Sequence, residues 1–128
     1  MENMTNLLQW GRFTSAAGSP LDWKIECDAL TKEDWDCIAQ VMIPHLPSFG
    51  CVVGVPRGGY PMATAFSRGV TFGGSDPVLI VDDVWTTGKS MTALAREVSL
   101  HVPWVGCVLF ARNPTPPNVR AMFTLNFK

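Results

Sequence analysis

Two carboxylates at the end of an apolar run, followed within a few residues by a cluster of hydroxyls, form a pattern with chemical content. Asp82 and Asp83 close VLIV (78–81), and Thr86, Thr87, Gly88, Lys89 and Ser90 come next. Hydroxyls together with the free backbone N–H groups of a helix start make a phosphate cradle. Carboxylates beside such a cradle repel a bare phosphate, yet they suit the hydroxyls of a sugar or a hydrated Mg²⁺. The combination points to a ligand that is both sugar and phosphate. A second polar cluster, Pro56-Arg57-Gly58-Gly59, follows the apolar run CVVGV (51–55). In open α/β sheets ligands bind beyond the carboxyl ends of the strands, where both clusters are expected.

Three known signatures compete for 78–90. A Walker A loop requires glycine five residues before Gly88-Lys89-Ser90, and Asp83 stands there, so that motif fails. A two-component receiver domain also opens on a strand ending in paired aspartates, but it needs a phosphoacceptor aspartate downstream. No aspartate follows Asp83. The third fits: VLIVDDVWTTGKS resembles the phosphoribosyl-pyrophosphate signature of type I phosphoribosyltransferases. That signature is four apolar residues, two acids, two apolar residues and a Thr-Thr-Gly phosphate loop.

By this resemblance Asp82 and Asp83 bind the ribose 2- and 3-hydroxyls, directly or through Mg²⁺, and are the metal and catalytic carboxylates. Thr86, Thr87, Gly88, Lys89 and Ser90 hold the 5-phosphate; for Lys89 a plain solvated charge is an equal alternative. GVPRGG (54–59) resembles the pyrophosphate loop of the same superfamily. It implies that Arg57, Gly58 and Gly59 meet pyrophosphate, with a non-proline cis peptide at Pro56–Arg57. FTSAAGSPLDWKIECDAL (13–30) looks like the opening of orotate phosphoribosyltransferases, where it forms part of a hood over the base. Ala17-Gly18 replaces the usual Ser-Gly there, and Trp23 the usual Tyr or Phe. VLFARNP (108–114) resembles the strand whose closing arginine binds orotate's carboxylate; Arg112 takes that position, the alternative being an exposed arginine at a strand end. Lys24 reads as a solvated lysine rather than a phosphate ligand.

The sequence departs from the orotate pattern in one place. Those enzymes carry a long mobile loop, rich in cations, before the signature strand. Here only RGVTFGGSDP (68–77) is available, with Arg68 as its sole cation, and it reads as a tight connection, a small flap at Gly73 and Gly74 being the alternative. Phosphoribosyl transfer passes through a cationic, oxocarbenium-like ribose as pyrophosphate leaves, so the leaving group must be neutralised. Without the loop, Mg²⁺ and Arg57 carry that task. A slow transferase, a protein that borrows a cation from elsewhere, or a non-catalytic binder of phosphoribosyl pyrophosphate or a nucleotide follows.

The elements that must position these residues are legible in outline. Residues 1–30 show little periodicity, with WKIEC (23–27) as a short strand. Thr31 caps a helix in which Trp35, Ile38, Ala39 and Met42 recur at helical spacing until Pro44 and Pro47 stop it. CVVGV (51–55), VLIV (78–81) and VGCVLFA (105–111) are buried-strand runs, AMFTLNF (121–127) is a fourth strand, and helices fall near 59–68 and 88–100. Continuous apolar strands alternating with helices indicate an α/β fold whose parallel sheet is covered on both faces. The resemblance makes this a single type I phosphoribosyltransferase-like domain over 1–128, with a small hood at about 1–30 and a core at about 31–128.

Composition narrows the partners. With 128 residues, the chain removes roughly two-thirds of its unfolded surface from water on folding. Ten Lys and Arg oppose eleven Asp and Glu, which excludes a basic nucleic-acid footprint. Charged residues are 16% and hydrophobic ones 47%, so a surface this poor in charge suggests a partner subunit, in keeping with a homodimer. The apolar runs are too short to span a membrane, and the first residues lack the pattern of a secretory signal. Cys37, Cys51 and Cys107 sit in apolar stretches and read as buried thiols of a cytoplasmic protein. The expected partners are therefore phosphoribosyl pyrophosphate and a nucleobase, orotate first; the hood pattern disfavours a purine.

Overall fold

The computed structural model describes residues 8–14, 20–71 and 76–125, and side chains from residue 26 onward within those ranges. The chain divides into two compact units, Met1–Thr31 and Lys32–Lys128. In the first, β1 (Leu8–Thr14) pairs antiparallel with β2 (Pro20–Ile25), with Leu8 opposite Ile25, Trp10 opposite Trp23 and an irregularity between Trp10 and Phe13. The strand expected at 23–27 thus starts and ends earlier, and β1 is an element that the sequence pattern does not announce. A 3-10 turn at Cys27–Ala29 ends β2's run, with the Glu26 carboxylate accepting the Asp28 N–H at 3.2 Å.

The second unit opens with α1 (Lys32–Met42), which buries Trp35, Ala39 and Met42 along one face. That i, i+4, i+7 spacing defines an apolar stripe. Glu33 and Asp34 occupy the first turn, where carboxylates suit the helix dipole. Pro44 then cuts the helix, leaving only a 3-10 turn at Ile43–His45.

Four parallel strands follow: β3 (Cys51–Gly54), β4 (Val78–Trp85), β5 (Trp104–Ala111) and β6 (Val119–Thr124), adjacent in that order. Helices α2 (Tyr60–Phe66) and α3 (Lys89–Val98) connect β3 to β4 and β4 to β5. Val78, Leu79, Ile80 and Val81 are all buried, as a strand covered on both faces requires. Met91 and Ala95 of α3 pack on Val78, Ile80 and Val108. Helix α2 packs on β3, β4 and α1 and buries Met62, Ala65 and Phe66. The expected α/β fold with a parallel sheet is present.

Some details differ from what the sequence pattern suggests. Strand β4 does not stop at the aspartates but runs through them to Trp85, because β5 accompanies it to the end, pairing Asp82 with Val108 and Trp85 with Ala111. On the other side β3 ends sooner, at the Gly54–Val81 pair. Strand β6 begins at Val119, two residues before the expected start; residues 126 and 127 of that expectation lie outside the described residues. Cys107 is buried as expected, whereas Cys37 and Cys51 are exposed. Cys37 falls off the stripe of α1 that carries Trp35, Ala39 and Met42, and Cys51 opens an edge strand of the sheet. Among the described residues no helix is long and apolar enough to cross a membrane.

Candidate functional site

The unequal lengths of β3 and β4 create the site. Beyond Val81, β4 has a strand partner only on its β5 side. The chain leaving β3 turns over this open stretch: Val55 N–H donates to Val81 C=O at 2.9 Å, and Gly59 N–H closes the turn onto Val55 C=O at 2.8 Å. The glycines are dictated by proximity. A Cβ on Gly59 would lie 2.5 Å from the Val81 carbonyl oxygen, and one on Gly58 only 2.3 Å from a carboxylate oxygen of Asp83. The 54–59 loop therefore rests directly against the second aspartate. The Pro56–Arg57 peptide is cis, at the position expected from the resemblance. Arg57 itself is exposed.

Each aspartate folds back on its own strand. Asp82 accepts the Asp83 N–H, and Asp83 accepts the Val84 N–H, both at 2.8 Å. Both carboxylates are half-buried. Burial, and then the neighbouring Asp83 carboxylate, push Asp82 up from 3.8 to about 8. A carboxyl held in its protonated form beside a second carboxylate ionises more readily when positive charge comes to the pair.

After Trp85 the chain enters the hydroxyl-rich loop. Gly88 adopts φ +79°, and a Cβ there would strike the Trp85 ring at 2.2 Å, so glycine is required on both counts. Trp85, itself buried, forms the floor of this turn. Helix α3 starts at Lys89, with Thr92 N–H donating to Gly88 C=O at 2.9 Å. Thr87, Lys89 and Ser90 are exposed, and Thr86 is half-buried.

The end of β5 closes the site. Arg112 N–H donates to Trp85 C=O at 2.8 Å, and the Asn113 side-chain amide donates to Thr86 C=O at 2.6 Å. Arg112 is half-buried, and burial lowers its guanidinium from its ordinary value. The structure thus places Arg57, Gly58 and Gly59, Asp82 and Asp83, Thr86 to Ser90, and Arg112 at the carboxyl ends of three adjacent parallel strands. Trp85 and Asn113 belong to the same cluster, and the sequence alone does not single them out. For Trp85 the sequence offers only a glycine three residues later, and for Asn113 it offers no local signal.

The remaining residues named from the sequence lie elsewhere. Ala17 and Gly18 fall outside the described residues, as do the side chains of Trp23 and Lys24. Of the 68–77 segment, 72–75 fall outside them too. At its near end Arg68 sits 3.5 Å from the Asp36 carboxylate, which also meets Lys32 at 3.1 Å. Thr71 is bonded to Asp76 and its N–H donates to Phe49 C=O at 2.9 Å. A cavity of about 440 Å³ lies at the opposite, amino end of the sheet, lined by His45, Gly106, Asn118 and Arg120 among others, and shares no residue with the site.

A pair of carboxylates beside a hydroxyl-rich helix start fits a divalent cation of the Mg²⁺ type. Such an ion keeps much of its water and takes one or two protein carboxylates plus ligand oxygens. No group of three or more metal-ligating side chains occurs among the described residues, so these side chains do not build a closed protein cage. The missing Cβ of Gly58 leaves the Asp83 carboxylate the room that any other residue would fill.

No family model and no curated protein matches the chain. Solved structures do. The chain is similar to orotate phosphoribosyltransferase from Aeropyrum pernix, with 20% identity and a TM-score of 0.68 over 93% of this chain and 88% of that one. It is similar to Mycobacterium tuberculosis orotate phosphoribosyltransferase at 19% identity and a TM-score of 0.65, covering 92% and 89% of the two chains. A purine phosphoribosyltransferase from Pyrococcus horikoshii matches over 75% of this chain and 85% of its own, with 22% identity and a TM-score of 0.55. The α/β fold of this chain is that of the type I phosphoribosyltransferases.

Proposed function

We propose that the protein is a phosphoribosyltransferase that transfers the 5-phosphoribosyl group of phosphoribosyl pyrophosphate to a nucleobase, orotate first, and releases pyrophosphate. The observation that carries this reading is the seating of the 54–59 loop on Asp83. It brings a candidate pyrophosphate arginine and a candidate ribose carboxylate to one strand end, next to the hydroxyl-rich helix start.

In this reading the loop Thr86 to Ser90 receives the 5-phosphate through N–H groups and hydroxyls. Asp82 and Asp83 face the ribose hydroxyls and would hold Mg²⁺, which supplies positive charge to the departing pyrophosphate. Arg57, exposed above Gly58, offers its guanidinium fork to the same group. Arg112 pairs with the carboxylate of orotate. The bond from the anomeric carbon to the pyrophosphate oxygen breaks, and a bond from that carbon to the base nitrogen forms. Orotate reacts as its ring-nitrogen anion, so no side chain has to remove a proton at the moment of transfer. A single domain over 1–128, assembled as a homodimer in the cytoplasm, completes the reading.

A second reading, a non-catalytic binder of phosphoribosyl pyrophosphate or a nucleotide, is favoured by one observation. Arg68, the cation of the short 68–77 segment, faces Asp36 on α1. Calorimetric titration of phosphoribosyl pyrophosphate with Mg²⁺, followed by orotate, separates the two. Binding with release of pyrophosphate is the expected result. Binding without turnover on orotate or on purines makes the protein a binder, and no binding at all removes both readings.

A further inference from the structure

The bonds between the phosphate loop and the end of β5 have a directional consequence. A trans peptide is planar, and its C=O and N–H point in opposite directions. The Trp85 carbonyl is held by the Arg112 N–H at 2.8 Å, and the Thr86 carbonyl by the Asn113 side chain at 2.6 Å. Drawing both carbonyls towards residues 112 and 113 turns the N–H groups of Thr86 and Thr87 the other way. An anion-binding loop needs that orientation, because a phosphate is attracted by an N–H and repelled by a carbonyl oxygen.

The two peptide planes are not held equally. Trp85 is the last residue of β4, so its carbonyl continues the ladder with β5. Thr86 lies between β4 and α3, beyond the ladder. Its carbonyl is fixed by a side chain instead. Asn113 suits that task because its amide carries two N–H donors, and because Pro114 confines its backbone to the extended region. Asn113 is exposed and therefore adds little to the core.

We propose that Asn113 is a positioning residue of the phosphate site: its side-chain amide sets the Thr86–Thr87 peptide so that the Thr87 N–H faces the phosphate end of the ligand. The proposal rests on the phosphoribosyl reading of the ligand, and it adds a residue and an atom to it. It places one hydrogen bond between the base-side strand end and the phosphate side of the site.

The test uses ribose 5-phosphate as the probe and the full-length, ¹⁵N-labelled protein. In the wild type the Thr87 amide resonance moves downfield on titration. Asn113→Ala and the similarly sized Asn113→Leu both lose the donor. Each is expected to weaken ribose 5-phosphate by up to about tenfold, the upper end of what one neutral hydrogen bond contributes. Each should also shrink the Thr87 response while shifting the melting temperature by no more than about 2 °C, as an exposed substitution does. Unchanged affinity and an unchanged Thr87 response in both variants overturn the role of Asn113 while the phosphate site stands. A wild-type Thr87 amide that stays still while those of Lys89 and Ser90 move overturns it without any variant. A wild type that does not bind ribose 5-phosphate removes the underlying reading as well.

Discussion

Asp82 carries a cost that the folded protein accepts in the absence of ligand. Its carboxyl is pushed from 3.8 up to about 8, first by burial and then by Asp83. Between those values an unfolded chain has already ionised this group while the folded chain still holds its proton. Stability then falls as pH rises, because the unfolded state binds fewer protons. The contribution is fully present below about pH 4 and is lost by about pH 8. Asp82→Asn removes the titration. The melting temperature of the metal-free variant is therefore expected to gain on the wild type as pH is raised from 5 to 8, while Mg²⁺-dependent binding of phosphoribosyl pyrophosphate is lost. Parallel melting curves across that range would show that Asp82 is not under strain. The paired aspartates and the glycines at 58, 59 and 88 are legible in the sequence because each belongs to a local run. Asn113 is not, because its partner Thr86 is 27 positions away and nothing local distinguishes it from a turn residue.

At the scale of elements, the site depends on where each strand stops. Apolar runs locate the core strands, since a strand buried on both faces is apolar throughout. They do not show that β4 continues through Asp82 and Asp83, since pairing with β5 outweighs the low strand preference of aspartate there. The same limit explains the cysteines: apolar neighbours in sequence do not say which side of α1 Cys37 occupies. Strand β1 is hidden because the irregularity between Trp10 and Phe13 breaks the two-residue alternation. The junction of β4 and α3 yields a sharp expectation. Gly88 holds φ +79° with the Trp85 ring 2.2 Å from where a Cβ would stand. Gly88→Ala therefore incurs the left-handed penalty of about 1–2 kcal/mol, and displacing Trp85 adds to it. A melting temperature several degrees lower is expected, together with weaker ribose 5-phosphate binding, since the loop and the helix start move together. A variant as stable as the wild type would mean that the turn relaxes into another conformation.

For the whole molecule, the division at Thr31 and Lys32 separates two units of unequal self-sufficiency. The second contains all four parallel strands and three α-helices, around a core of buried hydrophobic residues that runs from Trp35 to Val119. It also contains each of Arg57, Asp82, Asp83, Thr86 to Ser90, and Arg112. The first contributes a two-stranded antiparallel pair, and an isolated pair of that kind is marginal in water at best. A shortened chain starting at Lys32 is therefore expected to melt cooperatively and to bind ribose 5-phosphate within a few-fold of the full protein. The corresponding 1–31 peptide should show no cooperative transition. The hood assigned to residues 1–30 by resemblance predicts a separate loss, in the preference for orotate over hypoxanthine, with the phosphate end unaffected. If the shortened chain folds and still prefers orotate, base choice lies with Arg112 and its neighbours alone. If it does not fold, the parallel sheet needs the first thirty-one residues for stability, and the chain is one folding unit.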